Sequence, residues 1–291
     1  MYLVIDIGGT FTKYGYYDCS GHCHHKDKFQ TIRTDLSLFY TKIIELITNE
    51  TQGIAISIPG LINSQTGDIE AITLLPFIQG HNIINELFQK TKLPVSVEND
   101  AKCAALGEIW KGSLQNVNNG LMIVFGSGIG GTLILDGHII NSPRHKAGEI
   151  GSILMPLDMH YERMTNFGHE YNANQLIHAM SQEIGCQEDG YIVFQEIQKN
   201  PKAYHNFQNY CRKIAFLIYN LDYVLDLDVV SIGGGISEQD IFITTLQQQF
   251  QELRNQYQED SHQPIIKAAH YKNDANLLGA LYHHLQTYHQ I

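Results

Sequence analysis

The sequence predicts an α/β protein made of two related lobes. An apolar strand, a glycine-rich turn and a second strand occupy the first twenty residues, and the same pattern returns from Gly120. Each copy is followed by apolar residues at helical spacing. A duplicated unit of this kind is typical of two layered lobes that hold a ligand in the cleft between them.

In the first half, "YLVIDIG" and "TKYGYYD" predict a hairpin that turns at Gly8-Gly9-Thr10. Apolar spacing then predicts a helix over residues 36–47, and "GIAISIPG" predicts a strand that ends at Pro59-Gly60. The strand "PVSVEND" runs directly into the helix-favouring "AKCAALGEIW", with Asn99 and Asp100 at the helix start.

In the second half, "GLMIVFGSGIGGTLILDGHII" predicts a second hairpin with its own Gly-Gly-Thr. A long amphipathic helix is expected over residues 204–225, and the strand "DVVSI" leads into Gly233-Gly234-Gly235. Ser237 and Asp240, at the spacing of a capping box, predict the start of the next helix.

Turn residues and lost periodicity in "KGSLQNVNNG" mark the expected domain boundary. The predicted lobes are residues 1–115 and 116–274. The apolar-faced helix within residues 275–291 is expected to pack back on the first lobe.

Composition excludes several classes of protein. The 291 residues carry 30 acidic and 19 basic side chains, a net charge of −11, which argues against nucleic acid as a partner. The start of the chain has no basic leader, and glycines break the longest uncharged run, so we expect a cytoplasmic protein without a membrane partner. Five cysteines, an odd count, indicate reduced thiols.

The glycine turns are candidates for phosphate binding, because glycines after a strand expose backbone N–H groups without Cβ interference. Neither turn matches a GxxxxGK[ST] loop or a GxGxxG followed by a helix, since each is followed by a strand. The alternative is that the glycines only make turns. We favour that alternative for one such turn alone, but not for two similar turns together with a glycine triplet.

Five segments occur in the order "DIGGT", "VENDAKCAALGE", "GSGIGGTLILDG", "AGEIG" and "VVSIGGGIS". Together they resemble the ROK family of sugar kinases and repressors, and the resemblance runs from Val4 to Gly279. It implies a two-lobed actin/hexokinase-like α/β fold, that is, a duplicated ribonuclease H-like fold with an interdomain cleft.

The resemblance also implies ATP as cosubstrate and Mg²⁺ held by Asp6 through water. The glycine triplet would then bound the adenosine pocket. The residues assigned in this way to the nucleotide are Ile5, Asp6, Ile7, Gly8, Gly9, Thr10, Phe11, Lys13, Gly126, Ser127, Gly128, Gly130, Gly131, Thr132, Gly233, Gly234 and Gly235.

Asp100 matches the family's catalytic base, which takes the proton of the sugar hydroxyl as the γ-phosphoryl group is transferred. Taken alone, Asp100 would be an ordinary helix N-cap. Within "END" and between the glycine turns, we favour the base. The residues implied for sugar binding are Gly60, Asn99, Asp100, Glu149 and Glu170.

The chain departs from the family at the structural zinc site that many members carry. Ser152 stands where those members have a histidine, and no cysteine lies between Cys103 and Cys186. We therefore expect no structural zinc site.

A second group of residues could bind a metal or could simply be solvated at a hairpin tip, and we favour the solvated alternative. Its members are Cys19, His22, Cys23, His24 and His25.

The sequence thus predicts an ATP-dependent kinase acting on a hydroxyl, expected to be the 6-hydroxyl, of a hexose or β-glucoside. Members without the zinc motif include β-glucoside kinases. The alternatives are a monosaccharide kinase for glucose, fructose or N-acetylmannosamine, and a non-catalytic sugar-sensing regulator. Family repressors carry a helix-turn-helix before the first glycine turn, for which we expect no room before Asp6. A homodimer is expected.

Overall fold

The computed structural model describes residues 1–156 and 164–290. Contacts within the chain divide it into two compact units. Unit 1 comprises Met1–Gly112, Asn141–Ala147 and Asp274–Ile291, and unit 2 comprises Ser113–Ile140 and Gly148–Asn273. Each unit contains a five-stranded mixed sheet, so the predicted α/β class is confirmed.

The sheet of unit 1 has the order β3-β2-β1-β4-β7, with β1 antiparallel to β2 and parallel to β4. A short hairpin, β5-β6, follows β4. The strands are β1 (Tyr2–Ile7), β2 (Phe11–Tyr17), β3 (Cys23–Gln30), β4 (Gly53–Ile58), β5 (Leu61–Asn63), β6 (Asp68–Ala71) and β7 (Val95–Asn99). The helices are α1 (Leu36–Glu45), α2 (Ile83–Thr91), α3 (Asp100–Lys111) and α9 (Ala275–Thr287).

The central strands β1, β4 and β7 are buried along their whole length. Strands covered on both faces read as nearly continuous apolar runs, which is why the sequence predicted β1 and β4. The strand β7 is less apolar and was predicted from its start after Pro94. The strand β3 was missed, because its residues "CHHKDKFQ" are polar and mostly exposed. A charged edge strand of this kind resists pairing with other chains, but its sequence resembles a loop.

Helices α3 and α9 pack with their backbones in direct contact. A Cβ added to Gly279 would lie 1.6 Å from the carbonyl oxygen of Cys103, and one added to Gly107 would lie 2.4 Å from that of Ala275. Both positions therefore require glycine. This contact fixes α3, and with it the strand end from which α3 begins.

The start of α9 is tied to the sheet by polar side chains. Asn276 Nδ2 donates to Asp6 Oδ1 at 3.2 Å, at the end of β1. Lys26 Nζ donates to the carboxylate of Asp274 at 2.7 Å. Asp274 therefore belongs to unit 1, whereas the sequence placed it in the second lobe.

Unit 2 has the sheet order β10-β9-β8-β13-β14 and a separate β11-β12 pair. The sequence placed Ser113 in the first lobe, but it belongs to unit 2, where its Oγ lies 2.7 Å from Ser231 Oγ. The strands are β8 (Gly120–Phe125), β9 (Ile129–Leu135), β10 (His138–Ile139), β11 (Leu154–Pro156), β12 (Met164–Asn166), β13 (Val229–Gly233) and β14 (Ile265–Ala268). The helices are α4 (Phe167–Glu170), α5 (Ala173–Ile184), α6 (Gly190–Glu196), α7 (Pro201–Leu225) and α8 (Asp240–Gln256).

The segment Asn141–Ala147 was predicted to belong to the second lobe, and that prediction is wrong. Two side-chain contacts hold the segment in unit 1. Lys102 Nζ donates to Asn141 Oδ1 at 2.7 Å, and His145 Nε2 lies 3.4 Å from a carboxylate oxygen of Glu70. Single contacts of this kind leave no periodic signal in a sequence.

The predicted capping box at Ser237 is also wrong. Ser237 lies inside a 3₁₀ turn, Gly235–Glu238, and its hydroxyl donates to the carbonyl oxygen of Gly234 at 2.8 Å. Helix α8 begins only after Gln239, which makes no side-chain cap. The hydroxyl hydrogen-bonds within the turn that precedes α8 and does not cap the helix. Residue spacing alone does not distinguish these two uses of a serine.

None of the helices within the described ranges combines the length and the apolar character that crossing a membrane requires.

A buried histidine connects α9 to the sheet of unit 1. His284 Nδ1 lies 2.9 Å from Ser96 Oγ, and the ring occupies the space that a Cβ on Gly53 would need, 2.3 Å from Nε2. Burial, together with a smaller effect of the neighbouring His283, lowers the pKa of His284 to about 4. The folded protein therefore keeps this ring neutral.

We expect His284 to make stability depend on pH. Between its unfolded pKa of 6.5 and its folded pKa of about 4, the unfolded chain binds a proton that the folded chain does not, so stability falls as pH falls through this window. The loss is at most about 3 kcal/mol at roughly 1.4 kcal/mol per pKa unit. Denaturant unfolding of the wild type and of H284Q, whose amide does not titrate, measures it. Identical pH dependence in both proteins would refute this assignment.

Candidate active site

The first hairpin turns at Gly8-Gly9-Thr10, between β1 and β2, as predicted. The backbone N–H of Gly8 donates to the carbonyl oxygen of Phe11 at 3.1 Å, and a Cβ on Gly8 would lie 2.9 Å from that oxygen. Gly8 is therefore required by the tightness of the turn.

Asp6 is a buried carboxylate that precedes this turn by two residues. Its Oδ1 accepts hydrogen bonds from Ser57 Oγ at 2.8 Å and from Asn276 Nδ2 at 3.2 Å, while Lys13 Nζ lies 3.7 Å from Oδ2. Burial raises the pKa of Asp6, and Lys13, Ser57 and Asn276 each oppose that shift. The Lys13 ammonium therefore faces a carboxylate that is removed from water. Because burial disfavours the charged form of Asp6, a second cation bound there would stabilise it further.

The contacts of Ser57 and Asn276 with Asp6 were missed by sequence reasoning. Ser57 is the one polar residue in the buried strand "GIAISI", and such an interruption is a usable signal. Asn276 lies more than 200 residues from both partners and carries no comparable signal.

The "END" segment divides two roles between neighbouring residues. Asn99 is the N-cap of α3: its Oδ1 accepts from Lys102 N at 3.1 Å, and its Nδ2 donates to the carbonyl oxygen of Gly60 at 2.9 Å. Asp100 is the first helical residue, and its Oδ1 accepts from Ala101 N at 2.8 Å. Asp100 is therefore not the cap, which removes the simplest structural explanation for an aspartate there.

Glu98, the first residue of the segment, is fully buried. Its Oε1 accepts from Asn99 N at 2.7 Å, and the Lys102 ammonium lies 4.0 Å from the same oxygen. A buried carboxylate needs such partners. By accepting from Asn99 N, Glu98 also fixes the backbone of the residue that caps α3.

Gly60 follows β4 and is joined to Asn99 as described. Its φ of +114° is open to glycine alone, and a Cβ there would lie 2.5 Å from the carbonyl oxygen of Ala71. The structure thus brings three of the predicted sugar-binding residues, Gly60, Asn99 and Asp100, together in unit 1.

In unit 2, the second hairpin turns at Gly126, Ser127 and Gly128, between β8 and β9. The second Gly-Gly-Thr, Gly130-Gly131-Thr132, lies four residues further on inside β9, and Thr132 is buried. The two Gly-Gly-Thr segments are therefore not structural equivalents.

The glycines of this region have different reasons to be glycine. A Cβ on Gly128 would meet nothing within 4 Å, and one on Gly126 only a carbonyl oxygen at 3.9 Å. A Cβ on Gly131 would lie 2.5 Å from the carbonyl oxygen of Gly148. Packing therefore explains Gly131 but not the two turn glycines, which leaves the turn open to a ligand.

Glu149 and Glu170 lie on segments that pack against the second hairpin. A Cβ on Gly151, two residues after Glu149, would lie 2.2 Å from the carbonyl oxygen of Ile129 and 3.6 Å from Gly168 Cα, in the same short helix as Glu170. Close packing at Gly151 and Gly168 thus holds the segments that carry Glu149 and Glu170 against the start of β9.

The glycine triplet ends β13 and begins a 3₁₀ turn. Gly234 has a φ of +85°, and a Cβ there would lie 2.0 Å from the carbonyl oxygen of Phe125, at the end of β8. A Cβ on Gly235 would meet nothing within 4 Å. The triplet therefore lies beside the second turn and leaves one side of Gly235 open.

The histidine and cysteine group lies around the β2-β3 turn. Asp18 organises that turn, since its Oδ1 accepts from Ser20 N and His22 N. Within residues 1–156 and 164–290, no three His, Cys, Asp or Glu side chains are grouped so as to hold a metal ion.

Residues 2–287 match the profile of the ROK family. The chain belongs to the ROK family.

Similar proteins cover nearly the whole chain. A beta-glucoside kinase from Listeria innocua is 30% identical over 288 residues, which are 97% of this chain and 96% of the relative. An N-acetyl-D-glucosamine kinase from Salmonella agona is 25% identical over 98% of this chain and 99% of the relative. A ROK family protein from Streptococcus pneumoniae, solved in complex with sucrose, is 29% identical with a TM-score of 0.89, and covers 100% of this chain and 99% of that one.

In this ROK family chain, the division of roles at the start of α3 can be measured by stability. We expect N99A to lower the free energy of unfolding by about 2 kcal/mol, because it removes the helix cap and the hydrogen bond to Gly60. D100N keeps the side-chain acceptor and should cost less than about 1 kcal/mol. Denaturant unfolding measures both; an equal loss in the two variants would contradict this division.

Proposed function

We propose that this protein is an ATP-dependent carbohydrate kinase that transfers the γ-phosphoryl group to a hydroxyl, the 6-hydroxyl, of a hexose or β-glucoside. The observation that carries the proposal is Asp100 in a ROK family chain: a carboxylate at the first position of a helix whose cap is supplied by its neighbour Asn99. The named sugar kinases among its relatives support the same reaction class.

Asp100 is the proposed catalytic base. The amino end of α3 favours its ionised form, and that carboxylate accepts the proton of the attacking hydroxyl. Phosphoryl transfer requires mainly positioning and neutralisation of charge, so a base held by a helix start is sufficient for the proton. Close packing at Gly107 and Gly279 places α3, and with it Asp100, directly against α9.

Asn99 is proposed to orient the sugar. One N–H of its amide donates to the carbonyl oxygen of Gly60, and its Oδ1 accepts from Lys102 N. The second N–H and the second lone pair of Oδ1 remain for a substrate hydroxyl. Glu149 and Glu170 are the proposed acceptors for further hydroxyls. Polar groups of this kind reject an analogue that lacks the hydroxyl, because they are then left unpaired.

Asp6 fits the proposed magnesium site. It presents a carboxylate among oxygen and amide groups, and Mg²⁺ in such enzymes is held by one or two carboxylates together with water and substrate phosphates. When bound, the metal neutralises charge on the phosphates. The turn N–H groups of Gly9 and Thr10 and of Ser127 and Gly128 are the proposed donors to the phosphate oxygens, whereas the N–H of Gly126 donates to the carbonyl oxygen of Gly128 within the turn.

Within this proposal, two relatives favour a β-glucoside over a single hexose as the acceptor. The Listeria relative is named a beta-glucoside kinase, and the Streptococcus relative was solved with a disaccharide. A kinase for a monosaccharide such as glucose, fructose or N-acetylmannosamine is the alternative, and the N-acetyl-D-glucosamine kinase relative supports it.

The homodimer stays a prediction. Helix α7 exposes Phe216, Tyr223 and Val224, the last at 77%, and apolar residues grouped in this way are typical of a contact between proteins. Sedimentation equilibrium of the purified chain decides between one copy and two.

Replacing Asp100 tests the proposed base. We expect D100N to lower kcat by about 10²- to 10⁴-fold, because the proton of the attacking hydroxyl then has no acceptor. Binding of the sugar, measured by calorimetry, should stay within threefold.

The matched control is D35N, since Asp35 caps α1 in the same unit and its carboxylate accepts from Leu38 N. That variant should keep the wild-type kcat. Turnover by D100N close to that of D35N would exclude Asp100 as the base.

A coupled assay of ADP release over a panel of sugars tests the substrate class. We expect a higher kcat/KM for cellobiose and gentiobiose than for glucose, fructose, N-acetylglucosamine or N-acetylmannosamine. A folded protein that releases no sugar-dependent ADP with any of them would overturn the kinase proposal. A preference for one monosaccharide would replace the β-glucoside by that sugar.

A further inference from the structure

The first glycine turn is held from outside by two residues that follow β3. Thr31 Oγ1 donates to the carbonyl oxygen of Gly8 at 2.7 Å, and Thr31 N donates to that of Thr10 at 3.0 Å. Arg33 donates through its guanidinium to the carbonyl oxygen of Gly9. All three carbonyl groups of the turn therefore have a fixed partner.

Fixing a carbonyl also fixes the next N–H. A peptide unit is planar and trans, so the C=O of one residue and the N–H of the next point in opposite directions. The contact of Thr31 with Gly8 orients the N–H of Gly9, and the contact of Arg33 with Gly9 orients that of Thr10. Both donors therefore point away from Thr31 and Arg33.

These two N–H groups are available to a ligand. Within the described part of the chain, neither Gly9 N nor Thr10 N donates to a backbone or side-chain acceptor. Successive N–H groups directed to one side form a concavity that binds anions.

The Thr31 hydroxyl has a defined place in a short chain of hydrogen bonds. It has one proton, which goes to the carbonyl oxygen of Gly8, so the Thr12 hydroxyl, 3.0 Å away, must donate to Thr31 Oγ1. Both threonines are buried. The chain of bonds therefore has one direction, and it ends on the turn.

We propose that Thr31 and Arg33 are positioning residues for phosphoryl transfer, which hold the turn of Gly8, Gly9 and Thr10 so that its N–H groups meet the phosphates of ATP. Two glycine peptide units rotate readily, and a donor that must reorient on binding stabilises charge less than one already in place. Arg33 also adds a positive charge at the turn of a chain whose net charge is −11. The inference rests on the proposed kinase function.

The test compares T31V with T31S and R33M with R33K. Valine keeps the shape of threonine without the hydroxyl, whereas serine keeps the hydroxyl. Steady-state kinetics give kcat and separate KM values for ATP and for the sugar. Calorimetry with AMPPNP gives nucleotide affinity without turnover, and thermal unfolding reports on folding.

We expect T31V to lower kcat/KM for ATP about 10- to 100-fold, and R33M, whose side chain is exposed, about 3- to 10-fold. T31S and R33K should recover most of the loss. The KM for the sugar should stay within twofold in all four variants, because neither Thr31 nor Arg33 is among the residues proposed to bind the sugar. A purely structural role of Thr31 would instead lower the melting temperature and leave the KM for ATP unchanged.

The two proposals fail in different ways. A folded wild type without phosphoryl transfer to any sugar defeats the kinase function, and AMPPNP affinity still tests the turn. A working wild type whose T31V and R33M variants keep the ATP parameters within twofold defeats the positioning role alone. Equal losses in T31V and T31S defeat it as well, since the hydroxyl would then not be the group that matters.

Discussion

The contact between α3 and α9 is the constraint on which unit 1 depends. Two glycines allow the helix backbones to touch, and no other residue fits at either position. From this contact α3 extends to the "END" segment, and α9 extends to Asn276 beside Asp6. The positions of both candidate carboxylates therefore depend on one interface, since Asp100 begins α3 and Asp6 is hydrogen-bonded to Asn276 of α9.

Most of the sheet of unit 1 was predictable, because strands buried on both faces are continuous apolar runs bounded by turn residues. The edge strand β3 was not, since its exposed residues are polar. The return of Asn141–Ala147 to unit 1 depends on Lys102 and His145, whose partners lie far away in sequence. The sequence of β3 therefore resembles a loop, whereas the placement of Asn141–Ala147 depends on tertiary contacts that a local pattern does not contain.

The candidate site shows the same division. Asn99 and Asp100 were placed correctly at a helix start, but only the hydrogen bonds of Asn99 to Lys102 and Gly60 identify Asn99, and not Asp100, as the cap. The repeated Gly-Gly-Thr suggested two equal turns, yet the second lies within a strand and serves packing. The same motif therefore serves two purposes: Gly8 allows the chain to turn, and Gly131 allows the backbone of Gly148 to approach.

Unit 1 is built from three separate stretches of the chain, and this affects how it folds during synthesis. Ser96 and His284 are 188 residues apart, yet they are in contact. At about 5–20 residues per second, a ribosome needs roughly 10 to 40 seconds to make the chain between them. During that interval β1, β4 and β7 have emerged, but the helix that covers them in the folded protein has not. The nascent chain therefore leaves the face of β1, β4 and β7 that α9 covers exposed to water until α9 has been made.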